Sequence, residues 1–127
     1  MGIENKSVLI IDDDDALLFA FRKIFNGTGI TIEIANSIED AKKQLVEENF
    51  SLVITDLRLQ NVHKTEGVEI IRFIREHCPE TKTILWTAYG SSEIEKEIEQ
   101  AHPDYYLKKP VPSEKISHIM EEIGLFK

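Results

Sequence analysis

The stretch Val8-Leu9-Ile10-Ile11-Asp12-Asp13-Asp14-Asp15 decides the fold. Four apolar residues, mostly β-branched, run without a polar break, as in a strand covered on both faces. Four carboxylates follow at once. Beyond them the period changes: Leu17, Ala20, Phe21 and Ile24 fall at i, i+3, i+4 and i+7, one face of a helix. A buried strand, an acidic turn and an amphipathic helix make one βα unit.

The same alternation continues to the end of the chain. Further short apolar runs are Ile30 to Ala35, Leu52 to Thr55, Thr83 to Thr87 and Tyr105 to Leu107. Between and after them lie helical stripes: Ile38, Ala41 and Leu45; Val68, Ile71 and Ile74; a shorter one of Ile94 and Ile98; and Ile116, Ile119, Met120 and Ile123. Helix starts carry chemical markers. Ser37 with Asp40 three residues on has the form of a capping box, Ser91 or Ser92 is placed to cap the fourth helix and Ser113 the fifth, while Asp14 and Asp15 suit the positive end of the first. No repeat and no Pro/Gly/Ser linker divides the chain, so residues 1–127 read as one domain.

Five βα units in series predict an α/β protein with a parallel sheet and right-handed crossovers. The first, third and fourth runs are continuously or almost continuously apolar and belong in the middle. Ile30-Thr31-Ile32-Glu33-Ile34 alternates and belongs at an edge, as does the short fifth run. The simplest arrangement is the doubly wound, flavodoxin-like order 2-1-3-4-5 with five helices. Ligands of such sheets bind at the carboxyl ends of the strands where the order reverses, here between strands 1 and 3.

Composition narrows the function. Of 127 residues, 42% are hydrophobic and 30% charged, which suits a globular domain rather than a disordered one. Fifteen Lys plus Arg against 23 Asp plus Glu give a net charge of −8. That surface repels nucleic-acid backbones and anionic lipid and favours cations and basic partners. No apolar run approaches membrane-spanning length, the N-terminus lacks a signal-peptide layout, and the single cysteine, Cys78, cannot form an internal disulfide. Together these features lead us to expect a cytoplasmic protein.

Carboxylates gather at the expected crevice. Strand 1 ends in Asp12 to Asp15 and strand 3 in Asp56, strand 4 ends in Thr87-Ala88, and strand 5 runs into Lys108-Lys109-Pro110. Two close carboxylates repel by about 1 kcal/mol at 4 Å even in water. Mg²⁺ suits one or two carboxylates plus a phosphate oxygen, and Lys109 supplies further positive charge. An Asp held ionised in such a setting is available as an oxygen nucleophile towards phosphorus.

These residues resemble the receiver domain of bacterial two-component response regulators. The matching pieces are Val8-Leu9-Ile10-Ile11-Asp12-Asp13-Asp14, Leu52-Val53-Ile54-Thr55-Asp56-Leu57-Arg58-Leu59, Gly67-Val68-Glu69, Trp86-Thr87-Ala88-Tyr89-Gly90 and Asp104-Tyr105-Tyr106-Leu107-Lys108-Lys109-Pro110. They occur in family order and span nearly the whole chain. The resemblance implies that Asp56 accepts a phosphoryl group from a phosphohistidine on a sensor histidine kinase. It implies that Asp12, Asp13, Asp56 and the backbone carbonyl of Arg58 hold Mg²⁺. Thr87, Ala88 and Lys109 would contact the phosphoryl oxygens, the bond to Pro110 would be cis, and Tyr106 would be an aromatic switch coupled to Thr87. The chain would then be a signalling receiver rather than an enzyme acting on other molecules. It would speak through its helix 4–strand 5–helix 5 face to a downstream protein effector or a fused output domain, and dimerisation on phosphorylation fits the same picture.

The sequence departs from the family at specific points. Gln60 replaces the usual proline after the phosphoacceptor, the Asp56-to-Gly67 loop is a few residues longer than usual, and Arg58 and Tyr89 occupy family-variable positions. Three other functions compete. A haloacid dehalogenase-like phosphohydrolase also places Asp-x-Asp after strand 1, but Ala16 stands where that motif wants Thr or Val, and the chain is short for such an enzyme with its cap. A receiver-like binding module that is never phosphorylated is disfavoured by the full set Asp13, Asp56, Thr87 and Lys109. A calcium loop lacks its turn glycine. Trp86 reads as core, Cys78 as a helix-end residue, and the four histidines share no ligand spacing.

Overall fold

The computed structural model describes residues 6–12, 14–57, 66–88 and 92–125. Five strands and five helices alternate: β1 (Ser7–Ile11), α1 (Asp15–Phe25), β2 (Thr31–Ala35), α2 (Ile38–Glu47), β3 (Leu52–Asp56), α3 (Glu66–His77), β4 (Lys82–Thr87), α4 (Ser92–Ala101), β5 (Tyr105–Lys108) and α5 (Ser113–Glu122). The strands form one parallel sheet in the order β2-β1-β3-β4-β5. The alternating second run and the short fifth run therefore lie at the edges, as their polarity requires.

Alternate residues of each strand feed opposite layers. Val8, Ile10, Leu52, Ile54, Ile84 and Trp86 pack with Phe21 and Phe25 of α1 and with Ile116, Ile119 and Met120 of α5. Leu9, Ile11 and Val53 pack with Ala41 and Leu45 of α2 and with Ile70 and Ile74 of α3. A third cluster joins Leu57, Leu85, Val68 and Ile71 to Ile98 and Ala101 of α4. The central strands are buried on both sides, which is why their sequences show no alternation.

Local chemistry sets the helix starts. Asp14 caps α1, its Oδ1 accepting from the amides of Ala16 (3.0 Å) and Leu17 (3.3 Å). Ser37 caps α2 by accepting from the Asp40 amide, while Asp40 turns its carboxylate to Gln44. The fifth helix differs from expectation. Its N-cap is Pro112, which has no side-chain cap bond, and Ser113 is already helical. Proline's fixed φ turns the chain into the helix there, and the Pro112 carbonyl accepts from Lys115 and Ile116. Ser91, one of the two residues expected to cap α4, lies outside the described residues. Among the described residues no helix is long and apolar enough to cross a membrane.

Candidate functional site

The site lies where β1, β3, β4 and β5 end together. Ile11 pairs with Thr55, so one further step along each strand places Asp12 and Asp56 side by side. Asp56 in turn pairs with Trp86, which puts Thr87 one residue beyond it on β4, and Thr87 pairs with Lys108. The sheet register alone thus gathers two acids, a hydroxyl and the lysine after β5. The Lys109 amide donates to the Thr87 carbonyl at 2.9 Å, extending the β4–β5 ladder by one rung. The Lys109–Pro110 peptide is cis.

Lys109 Nζ sits between the carboxylates, 3.2 Å from Asp12 Oδ2 and 3.0 Å from Asp56 Oδ2. Asp12 is 1% exposed, whereas the Asp56 side chain keeps 13% of its surface in solvent. Asp12 is therefore the enclosed acid and Asp56 the reachable one. The second oxygen of Asp12 accepts the Asp14 amide at 3.0 Å, an Asx turn that fixes the carboxylate and leads into α1. Burial raises the Asp12 pKa above its ordinary value, against the opposing pull of that amide and of Lys109. Burial also works against the Lys109 ammonium, but the two carboxylates outweigh it and its pKa is raised.

A second layer holds these groups in place. The Trp86 ring, 1% exposed, lies under Lys109 Nζ at 5.2 Å and packs on Phe21 at 5.0 Å. The Leu57 amide donates to the Trp86 carbonyl, and the Gly67 amide to the Leu57 carbonyl. Glycine is required at position 67. A β-carbon there would collide with the Asp56 carbonyl oxygen and lie 2.8 Å from Leu85 Cδ1 and 2.9 Å from Leu57 Cα. The start of α3 is thereby pressed against the strand that presents Asp56.

Of the residues singled out from the sequence, Asp12, Asp56, Thr87, Ala88 and Lys109 share this one end of the sheet. Thr87 is 1% exposed and Ala88 is exposed. Tyr106 pairs with Leu85 and packs against the cluster that joins α3 and α4. Its hydroxyl is buried with no hydrogen-bond partner among the described residues, as is Trp86 Nε1. Asp13, Arg58, Gln60 and Tyr89, with most of the longer loop, lie outside the described residues. Two contributions escaped the sequence reading. From the sequence Trp86 reads only as core, and its contact with Lys109 has no signature in spacing. Asp104, which the sequence marks only as the start of the last motif, accepts the Thr83 amide at 2.8 Å and ties the start of β5 to β4.

The residues present suit a small divalent cation. Two carboxylates converge on one ammonium, leaving excess negative charge, and the more buried of them is costly to ionise without a further cation. Among the described residues no group of three or more His, Cys, Asp or Glu comes together as a metal-ligating set. Asp12 and Asp56 would thus hold a metal only together with the other ligands expected from the sequence.

Fold and site together define a receiver of the two-component type, and comparison with known proteins agrees. Residues 8–121 match the response regulator receiver domain, and the chain belongs to that family. The structure is similar to that of a response regulator receiver domain protein (CheY-like) from Methanospirillum hungatei, with 30% identity, a TM-score of 0.82 and 94% of each chain covered. Over 116 residues the sequence is 24% identical to the photosynthetic apparatus regulatory protein RegA of Cereibacter sphaeroides, covering 91% of this chain and 61% of that protein. It is 27% identical to the transcriptional regulatory protein ZraR of Escherichia coli, covering 96% of this chain but 27% of ZraR. The chain thus spans less than two thirds of the length of RegA and of ZraR.

Proposed function

We propose that this receiver accepts a phosphoryl group on Asp56 from the phosphohistidine of a sensor histidine kinase. The observation that supports the reading best is the convergence of Asp12 and Asp56 on Lys109, with Thr87 ending the adjacent strand. In the transfer an Asp56 carboxylate oxygen attacks phosphorus, the P–N bond to the donor breaks, and the imidazole leaves with the electron pair. The product is an acyl phosphate on Asp56, which water later hydrolyses.

Each remaining group has a defined task. Asp56 is the more exposed acid and so the one a donor can reach. Lys109 pairs with a phosphoryl oxygen as negative charge moves outward from the carboxylate. The Thr87 hydroxyl donates to another oxygen, and Ala88, beside it and exposed, leaves room for the incoming group. Asp12, Asp13, Asp56 and the Arg58 carbonyl would hold Mg²⁺. When bound, Mg²⁺ offsets the charge shared by the acids and the phosphoryl group. Movement of Thr87 towards the phosphoryl group would free the space into which Tyr106 adjusts, passing the signal to the α4–β5–α5 face. A downstream protein effector, a fused output domain or a second copy would read that face. We place the reaction in the cytoplasm, where such a kinase and effector would meet it.

Incubation with Mg²⁺ and acetyl phosphate, followed by intact mass measurement, tests this reading. One added phosphoryl group is expected in the wild type, none in Asp56→Asn, and none when EDTA is present. Sustained phosphate release from simple phosphomonoesters would instead identify a phosphohydrolase.

A further inference from the structure

Lys109 has a third neighbour besides its two carboxylates, and that neighbour differs from them in kind. Its ammonium lies over the Trp86 ring at 5.2 Å, within the range of a cation–π contact. The ring is 1% exposed and is backed by Phe21, whose centroid is 5.0 Å away at 44°. Trp86 is also the residue paired with Asp56 across the β3–β4 ladder, so its backbone and the acid share one rung. It is the only tryptophan in the chain.

The two carboxylates are poor permanent anchors for the ammonium. Each changes its charge environment when a cation binds or when Asp56 is phosphorylated. The ring neither ionises nor gains a ligand, and it is buried against Phe21. We propose that Trp86 is a positioning residue that holds the Lys109 ammonium at the height where it meets the phosphoryl oxygen, so that phosphoryl transfer depends on the ring through Lys109. The proposal rests on the phosphoacceptor reading given above.

The test measures the rate of phosphorylation by acetyl phosphate at saturating Mg²⁺ in Trp86→Phe, Trp86→Leu, Lys109→Met and the double variant Trp86→Leu/Lys109→Met. Trp86→Leu should slow transfer about two- to thirtyfold, the range a cation–π contact spans between exposed and desolvated sites. Trp86→Phe keeps an aromatic face and most of the packing, and should recover part of that loss. In the Lys109→Met background the same Trp86→Leu change should alter the rate by less than about twofold, because the group it acts through is gone. Far-UV circular dichroism establishes that each variant is folded. The native protein gives a readout that needs no change at position 86: Trp86 emission should shift in metal-free Lys109→Met, and the emission change on adding Mg²⁺ to the wild type should be lost in that variant. If wild type is phosphorylated while Trp86→Leu slows transfer equally with and without Lys109, or if Trp86 emission ignores Lys109→Met, the positioning role is wrong and the phosphoacceptor reading stands. If wild type takes up no phosphoryl group, that reading fails and the proposal falls with it.

Discussion

Asp12 carries the site's electrostatic strain. Its carboxyl is enclosed, and burial raises its pKa despite the Asp14 amide and Lys109. A carboxyl whose folded pKa lies above its unfolded value favours the folded state most below the unfolded pKa, and that contribution is lost as pH rises through the folded pKa. Wherever Asp12 is ionised in the folded protein it therefore weighs against folding in the absence of metal. Asp12→Asn should raise the urea midpoint of the metal-free protein at pH 7, and the gain should shrink towards zero as the pH is lowered into the ordinary carboxylate range. Urea titrations of both proteins across that range check the sign; a lower midpoint for the variant at pH 7 would contradict it. The acids, the hydroxyl and the lysine were legible in the sequence because each follows an apolar run, so assigning strands also assigned their ends. The Trp86–Lys109 contact was not legible. The apolar run marks Trp86 as buried, but nothing local says that a lysine from the far end of β5 will reach over its ring.

At the scale of elements, tight backbone joints keep the strand ends in register. Gly67 admits the start of α3 against Asp56 and Leu57, and its amide bonds the Leu57 carbonyl. Gly67→Ala must push backbone against backbone, since the nearest obstacle is the Asp56 carbonyl rather than a flexible side chain. Overpacking of this kind costs about 1–3 kcal/mol, and chemical denaturation should show the loss. The same shift should slow phosphorylation of Asp56. The other joint is at the opposite end of the sheet. Asp104 accepts from both the amide and the hydroxyl of Thr83, while the Asp104 amide donates to that hydroxyl. Asp104→Ala should destabilise the fold by about 1–3 kcal/mol through the unmet amide of a residue only 2% exposed, with little effect on transfer per folded molecule. Sequence patterns revealed the elements but not all of their joints. Periodicity distinguishes strand from helix and buried strand from edge, yet Ser113 looked like a cap and is instead the first helical residue after Pro112. A Pro-Ser pair fits either assignment, and only the backbone path decides between them.

For the whole molecule, the net charge of −8 and the acidic pocket make different demands on salt, and this permits a test of the proposed Mg²⁺ binding that does not involve phosphorylation. General self-repulsion is relieved by any salt as the screening length shortens to about 10 Å at 0.1 M ionic strength. A divalent cation held by Asp12 and Asp56 would act differently. It would bind the folded state, where the sheet register has brought the two acids together, and not the unfolded chain, where they are far apart. Its contribution then grows as RT ln(1 + [Mg²⁺]/Kd), about 2.7 kcal/mol at one hundred times Kd. At matched ionic strength, MgCl₂ should therefore raise the melting temperature more than NaCl does. The excess should persist in Lys109→Met, which leaves both acids in place, and should disappear in Asp12→Asn/Asp56→Asn, which keeps the rest of the acidic surface. Equal responses to the two salts in the wild type would mean that the pocket gathers carboxylates without selecting a divalent ion, and the Mg²⁺ assignment would have to be withdrawn.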